Sequence, residues 1–116
     1  MAGKELVIEI ATLPGGVVIQ PIGEVDMARS PTLRAKLIEA ARSRPQPERL
    51  IVDLTQVPHM DSSGVATLVE ALQKASRGGP RLVLCGMLPR VRSIFEISRL
   101  LSVFSVTATR AEAQEA

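Results

Sequence analysis

At 116 residues, 46% hydrophobic and 22% charged, the chain has the size and composition of one globular domain, large enough for a single core and too short for two independent ones. Trp and Tyr are absent and Phe occurs twice, so that core has to be aliphatic. Fourteen Lys and Arg against twelve Asp and Glu leave a formal charge of only +2, which does not single out a nucleic-acid binder, and no apolar run approaches the length of a membrane-spanning helix.

The N-terminal Met-Ala-Gly-Lys-Glu has no basic stretch followed by a long apolar one, so no signal peptide or anchor is expected. Leu6-Val7-Ile8-Glu9-Ile10 reads as a strand, Gly15-Gly16 as a turn, and Val17 to Ile22 as the second arm of a hairpin. Pro21 cannot donate to a sheet ladder, which places it at an edge, a bulge or a strand end. Ser30-Pro31 is a helix start, with Leu33, Leu37, Ala40 and Ala41 at helical spacing up to about Ser43, and Pro45 and Pro47 bar continuation. Arg49 to Leu54 is a short β-branched run of the kind buried on both faces of a sheet.

Val65, Leu68, Val69 and Leu72 then recur at i, i+3, i+4 and i+7, giving a helix that Gly78-Gly79-Pro80 terminates. Arg81 to Cys85 is a further strand, and Pro89 opens a helix with Val91, Ile94, Phe95 and Ser98 on one face. Val103 to Val106 closes the sheet. Thr109 to Ala116 favours helix by composition, but it is short and lacks a large apolar residue, so a marginal or frayed segment is expected. The order β-β-α-β-α-β-α-β predicts an α/β fold, a single domain over residues 1–116 with a mixed, largely parallel sheet, an initial β-hairpin and flanking helices.

Two local features bear on partners. From Lys74 to Arg99 six basic residues (Lys74, Arg77, Arg81, Arg90, Arg92 and Arg99) face one acid, Glu96, which reads either as a solvated face or as a docking surface for an acidic partner. Cys85 is the single cysteine, so no internal disulfide forms, which fits a reducing cytoplasm; inside Leu82-Val83-Leu84-Cys85 it reads as a buried, inert thiol.

The segment that carries chemistry is Asp61-Ser62-Ser63-Gly64, between the strand ending at Leu54 and the amphipathic helix. Asp and Ser are preferred N-cap residues, because their oxygens accept from backbone N–H groups that have no partner inside the helix. On local composition alone, capping is the better reading. The same helix N-terminus also offers N–H donors and a favourable dipole to a phosphate. A phosphoserine there adds a charge of about −1.5 to −2 beside Asp61, enough to repel a surface complementary to the unmodified site.

Met60-Asp61-Ser62-Ser63-Gly64 after a strand resembles the signature of STAS domains of the anti-sigma factor antagonist type. Gly23-Glu24-Val25-Asp26 resembles a second family segment, Gly-Glu-Leu-Asp, and the strand Ile51 to Leu54 and the helix from Pro89 to Phe95 fall where that family places its third strand and third helix. The resemblance runs from about Leu6 to Val106. It implies a cytoplasmic partner-switching protein, not an enzyme and without cofactors, that regulates sigma-factor-dependent transcription. The unmodified form binds an anti-sigma factor serine kinase, the kinase phosphorylates Ser62, and a metal-dependent serine phosphatase restores it. By the same resemblance Asp26, Asp61, Ser63 and Gly64 belong to the partner-binding surface, with Asp26 reading equally as a turn or cap residue before Ser30-Pro31. Neither direct nucleic-acid binding nor membrane insertion is implied. The stretch Met27-Ala28-Arg29-Ser30-Pro31 and the short C-terminal segment depart from the better-known antagonists.

Other chemistries fit less well. A serine hydrolase needs a G-x-S-x-G elbow, whose first glycine is missing here, and His59 is the only histidine. One Cys and one His exclude a thiolate cluster or a His-rich metal site. A phospho-aspartate site at Asp53 lacks an acidic pair at the end of the first strand and a Lys ending a later one. The nearer alternative is a non-catalytic STAS subunit of a lipid-transport ABC system or larger signalling assembly, using the same helix face for stable packing.

Overall fold

Pro14 and Gly15 make a two-residue turn, with Gly15 at φ +73°, in the left-handed region that suits glycine. The turn folds β1 (Val7–Leu13) back on β2 (Gly16–Ile22) in a continuous antiparallel register from Val7↔Ile22 to Leu13↔Gly16. A computed structural model describes residues 5–116 of the chain. Pro21 lies beyond the last β2–β3 partner, Ile19, so its missing N–H costs that ladder nothing.

From β2 onward strands and helices alternate: α1 (Ser30–Ala41), β3 (Arg49–Asp53), α2 (Ser62–Ala75), β4 (Arg81–Cys85), α3 (Pro89–Ile97), β5 (Ser105–Thr107) and α4 (Arg110–Glu115). The sheet order is β1-β2-β3-β4-β5, with every pair after the hairpin parallel. Each crossover therefore steps in the same direction, and right-handed connections then place α1, α2 and α3 on one face. Side chains alternate along each strand, so Ile19, Leu50, Val52, Leu82 and Leu84 meet those helices through Leu33, Leu37, Val65, Leu68, Val91 and Phe95.

The intervening residues Val18, Ile51, Val83 and Cys85 point to the opposite face, where they pack with Ala113 of α4. Here the structure corrects the expectation of a frayed C-terminus. The Thr109 hydroxyl accepts from the Glu112 N–H at 3.1 Å, and the Glu112 carboxylate accepts from the Thr109 N–H at 3.1 Å, a reciprocal capping box. Ala113 is fully buried. A small side chain is what lets so short a helix lie close against the sheet, so the lack of a large apolar residue was not the obstacle it suggested. Arg110 adds an ion pair to Asp53 at 2.6 Å.

The last strand also sits further along than expected, at Ser105–Thr107. Arg99 to Val103 is spent turning out of α3, which leaves Val103 exposed and Phe104 buried edge-on against Phe95, ring centroids 5.5 Å apart. Cys85 is buried as expected; burial, reinforced by the nearby Asp53 carboxylate, pushes its thiol up to about 11. Among the described residues no helix is long and apolar enough to cross a membrane.

Candidate functional site

Backbone hydrogen bonds bring the two sequence motifs together. The Gly23 N–H donates to the Gln56 carbonyl (2.9 Å), the Val25 N–H to that of His59 (3.0 Å), and the Asp61 N–H to that of Val25 (3.1 Å). Val25 and Met60 thus form a parallel bridge outside the main sheet, both fully buried. Gly64 is needed for this contact rather than for its φ: a Cβ there would stand 2.5 Å from Met60 Cγ and 3.0 Å from Val25 Cγ1. The first turn of α2 consequently sits directly on the bridge, with Gly64 and Val65 buried and Ser62 outermost.

The hydrogen bonds assign the capping role at this helix start to Asp61. Asp61, in extended conformation, is the N-cap; its Oδ1 accepts from the Ser63 N–H at 2.9 Å and the Gly64 N–H at 3.4 Å. Ser62 is exposed, and among the described residues its hydroxyl has no hydrogen-bond partner in the protein. Ser63 is half-buried, and its carbonyl accepts from the Thr67 hydroxyl at 3.0 Å.

Asp26 fills the bland role allowed for it. Its Oδ1 accepts from the Arg29 N–H at 3.0 Å, its Oδ2 pairs with the Arg29 guanidinium at 2.6 Å, and its carbonyl accepts from the Ser30 N–H at 2.8 Å. The carboxylate thus ties off the chain just before α1. Desolvation pulls its pKa upward, but the Arg29 N–H and guanidinium together outweigh that and hold it below the ordinary carboxylate value. The sequence reading did not pick out Arg29, although Asp26-x-x-Arg29 has the spacing of an ion pair across one turn.

Beside Ser62 an open, mostly apolar groove runs between α2 and α3, lined by Val65, Ala66 and Val69 on one side and Ile94 and Leu100 on the other. Ile94, grouped with the core residues of α3 by its spacing, is only half-buried and forms part of this wall. His59 and Asp61 close the same end as Ser62. Met27 is 76% exposed in the loop joined to this end by the Val25–Met60 bridge.

The basic run of the sequence does not form one patch. Lys74 pairs with Glu70 at 3.3 Å, a carboxylate also held by Arg34 at 2.8 Å. Arg77 and Arg81 lie where α2 ends and β4 begins, whereas Arg90 and Arg92 lie at the opposite end of the sheet, in the first turn of α3. Asp53 is fully engaged: its oxygens accept from Gln20 Nε2, the Thr55 N–H and hydroxyl, and Arg110 Nε. It is a buried anchor and no open phosphoacceptor. Among the described residues no group of His, Cys, Asp and Glu could hold a metal ion.

Comparison with known proteins finds likenesses along nearly the whole length. A family model described as STAS domain matches residues 7–113. BtrV of Bordetella bronchiseptica, named an anti-sigma factor antagonist, is 33% identical over 94 residues, covering 81% of this chain and 79% of its own. The crystal structure of an anti-sigma factor antagonist from Mycobacterium paratuberculosis matches with a TM-score of 0.85 over 97% of this chain and 94% of that one; at 20% identity it speaks for the fold alone. The Bacillus cell fate determinant SpoIIAA in its phosphorylated form matches with a TM-score of 0.68 and 25% identity, over 94% and 97% of the two chains.

Proposed function

This chain belongs to the STAS domain family, and from that premise we propose that it is an anti-sigma factor antagonist whose binding to an anti-sigma factor serine kinase is ended by phosphorylation of Ser62. The observation that carries the reading is the division of labour at the start of α2. Asp61 does the capping, so the Ser62 hydroxyl is exposed and uncommitted. A relative solved in a phosphorylated form supports the same direction.

In this cycle the kinase supplies ATP and the catalytic groups. The Ser62 oxygen attacks the γ-phosphorus, the bond to the ADP oxygen breaks, and the hydroxyl proton passes to a base on the kinase. The Ser63 and Gly64 N–H groups are already taken by Asp61, so it is the dipole of the α2 N-terminus, together with solvent at the exposed Ser62, that makes the new dianion tolerable to this fold. The partner meets a different situation: a charge of about −1.5 to −2 added to that of Asp61, at the rim of an apolar groove that docking has to desolvate. Ser63 and Gly64 keep the first turn seated on the Val25–Met60 bridge, and Asp26, neutralised by Arg29, belongs to the adjoining surface with Met27. A metal-dependent serine phosphatase returns Ser62 to its free state, and the whole exchange takes place in the cytoplasm.

Incubation with the cognate kinase and ATP, followed by phosphosite mapping by mass spectrometry, is expected to find the modification at Ser62. Modification only elsewhere overturns the assignment. In calorimetry, Ser62→Ala should keep kinase affinity, because the cap is Asp61, while Ser62→Asp should lower it about tenfold or more. Equal affinities would instead favour stable packing of the kind expected for a subunit of a transport or signalling assembly.

A further inference from the structure

We propose that β1 is a dimerisation edge, along which a second copy of this chain adds antiparallel to make one continuous sheet across a two-fold axis at Ile10. Among the described residues nothing pairs with the outer side of β1. Edge strands are normally blunted by being short, or by proline, lysine, a bulge or a covering segment. β5, at the other edge, is three residues long. Among the described residues β1 has none of these protections: it runs for seven residues in unbroken register, without proline or lysine, and leaves Val7 61% and Ile10 51% exposed.

The choice of a second copy over another partner follows from the register. A two-residue hairpin closes on a hydrogen-bonded pair, and such pairs alternate along an antiparallel ladder. Leu13, Ala11, Glu9 and Val7 therefore bond inward to β2, and Ile8, Ile10 and Thr12 turn their N–H and C=O groups outward. A two-fold axis at Ile10, the middle of the strand, sets Ile10 against Ile10 of the second copy and Ile8 against its Thr12. Those are the outward-bonding residues on both chains.

On the other face the same axis sets Val7 against Leu13 of the second copy and Glu9 against its Ala11. The single charge of β1 thus meets a methyl group and never its own image. A one-residue slip to an axis at Glu9 would pair the two carboxylates and aim inward-bonding groups at each other. The self-complementary register is the one that two-fold symmetry requires. Pairing β1 with the three-residue β5 edge, by contrast, would leave most of β1 open and extend into a filament. The groove beside Ser62 lies between α2 and α3, over the other half of the sheet, so the dimer leaves it open, and the inference holds whether or not Ser62 is phosphorylated.

Sedimentation equilibrium on the full chain over a range of micromolar concentrations tests this. A mass rising to twice that of the monomer supports it; a monomer throughout, or species growing beyond the dimer, overturns it. Ile10→Lys places two ammonium groups together on the axis at a half-exposed position, and should weaken the dimer at least tenfold. An undiminished dimer overturns the proposal. Should that variant unfold by circular dichroism, Ile10→Cys decides: directly opposed hydrogen-bonded residues have Cα atoms about 5.5 Å apart, within disulfide range. Mild oxidation should then give a covalent dimer through the residue-10 thiols, and its absence overturns the proposal.

Discussion

Arg99 adopts φ 59°, a left-handed conformation that costs a side-chain-bearing residue roughly 1–2 kcal/mol. The reason lies in how α3 ends. The Leu100 N–H donates to the Phe95 carbonyl at 2.8 Å and the Arg99 N–H to that of Glu96 at 3.1 Å, the paired bonds of a Schellman motif, whose left-handed position is usually glycine. Arg99→Gly should therefore raise stability by about 0.5–1 kcal/mol, the gain being reduced by the greater freedom of glycine in the unfolded chain. Urea unfolding should show a higher midpoint at unchanged slope, and a lower one would mean that the Arg99 side chain contributes more than its backbone loses. At the other end of a helix, Asp61 and Ser62 show what capping rules can and cannot give. The residue types announce a helix start after Leu54, but only the Asp61 bonds to Ser63 and Gly64 reveal which hydroxyl is left over. The Asp26–Arg29 pair has a spacing that the sequence displays, but only the structure shows that the Asp26 carboxylate is already partnered.

Among the elements, α4 departs furthest from its sequence. Propensity and length describe a helix in isolation, and six residues are too few to stand alone. They do not register that the strand residues Val18, Ile51 and Val83 need a cover on the face away from α1 to α3, which α4 provides with Ala113 and anchors through Arg110 and Asp53. The strands and the three longer helices were legible because each carries its own period, and their alternation with right-handed crossovers left little freedom of topology. Desolvation raises the Asp53 pKa, but its bonds from Thr55 and Arg110 together carry it below the ordinary value of 3.8. The resulting stabilisation is fully present above 3.8 and is lost as pH falls through the depressed value. Arg110→Ala should cost about 1–2 kcal/mol at neutral pH, the exposed flank of the arginine being screened by solvent, and should flatten the acid limb of the stability profile. Denaturation curves measured from pH 7 down to about pH 2.5 check both effects; an acid limb as steep as that of the parent chain would mean that the bonds from Thr55 and Gln20 hold Asp53 ionised without Arg110.

For the molecule as a whole, Cys85 is an internal reporter. It is the only thiol, it is 1% exposed between β3 and β5, and its pKa is pushed up to about 11. An aromatic disulfide reagent at pH 8 should leave the native chain unmodified and react fully in denaturant, with the labelling midpoint matching that of circular dichroism. Labelling well before the global transition would mean that α4 and β5 open as a separate unit. The backbone bridge between Val25 and Met60 bears on when the recognition proposed for Ser62 becomes possible. It closes a loop containing all of α1 and β3, so the chain-entropy cost of joining its two ends is met only once β2, α1, β3 and the start of α2 are in place. A nascent or partly unfolded chain therefore carries the residues around Ser62 without displaying them as a surface, and whatever reads that surface is confined to molecules that have finished folding.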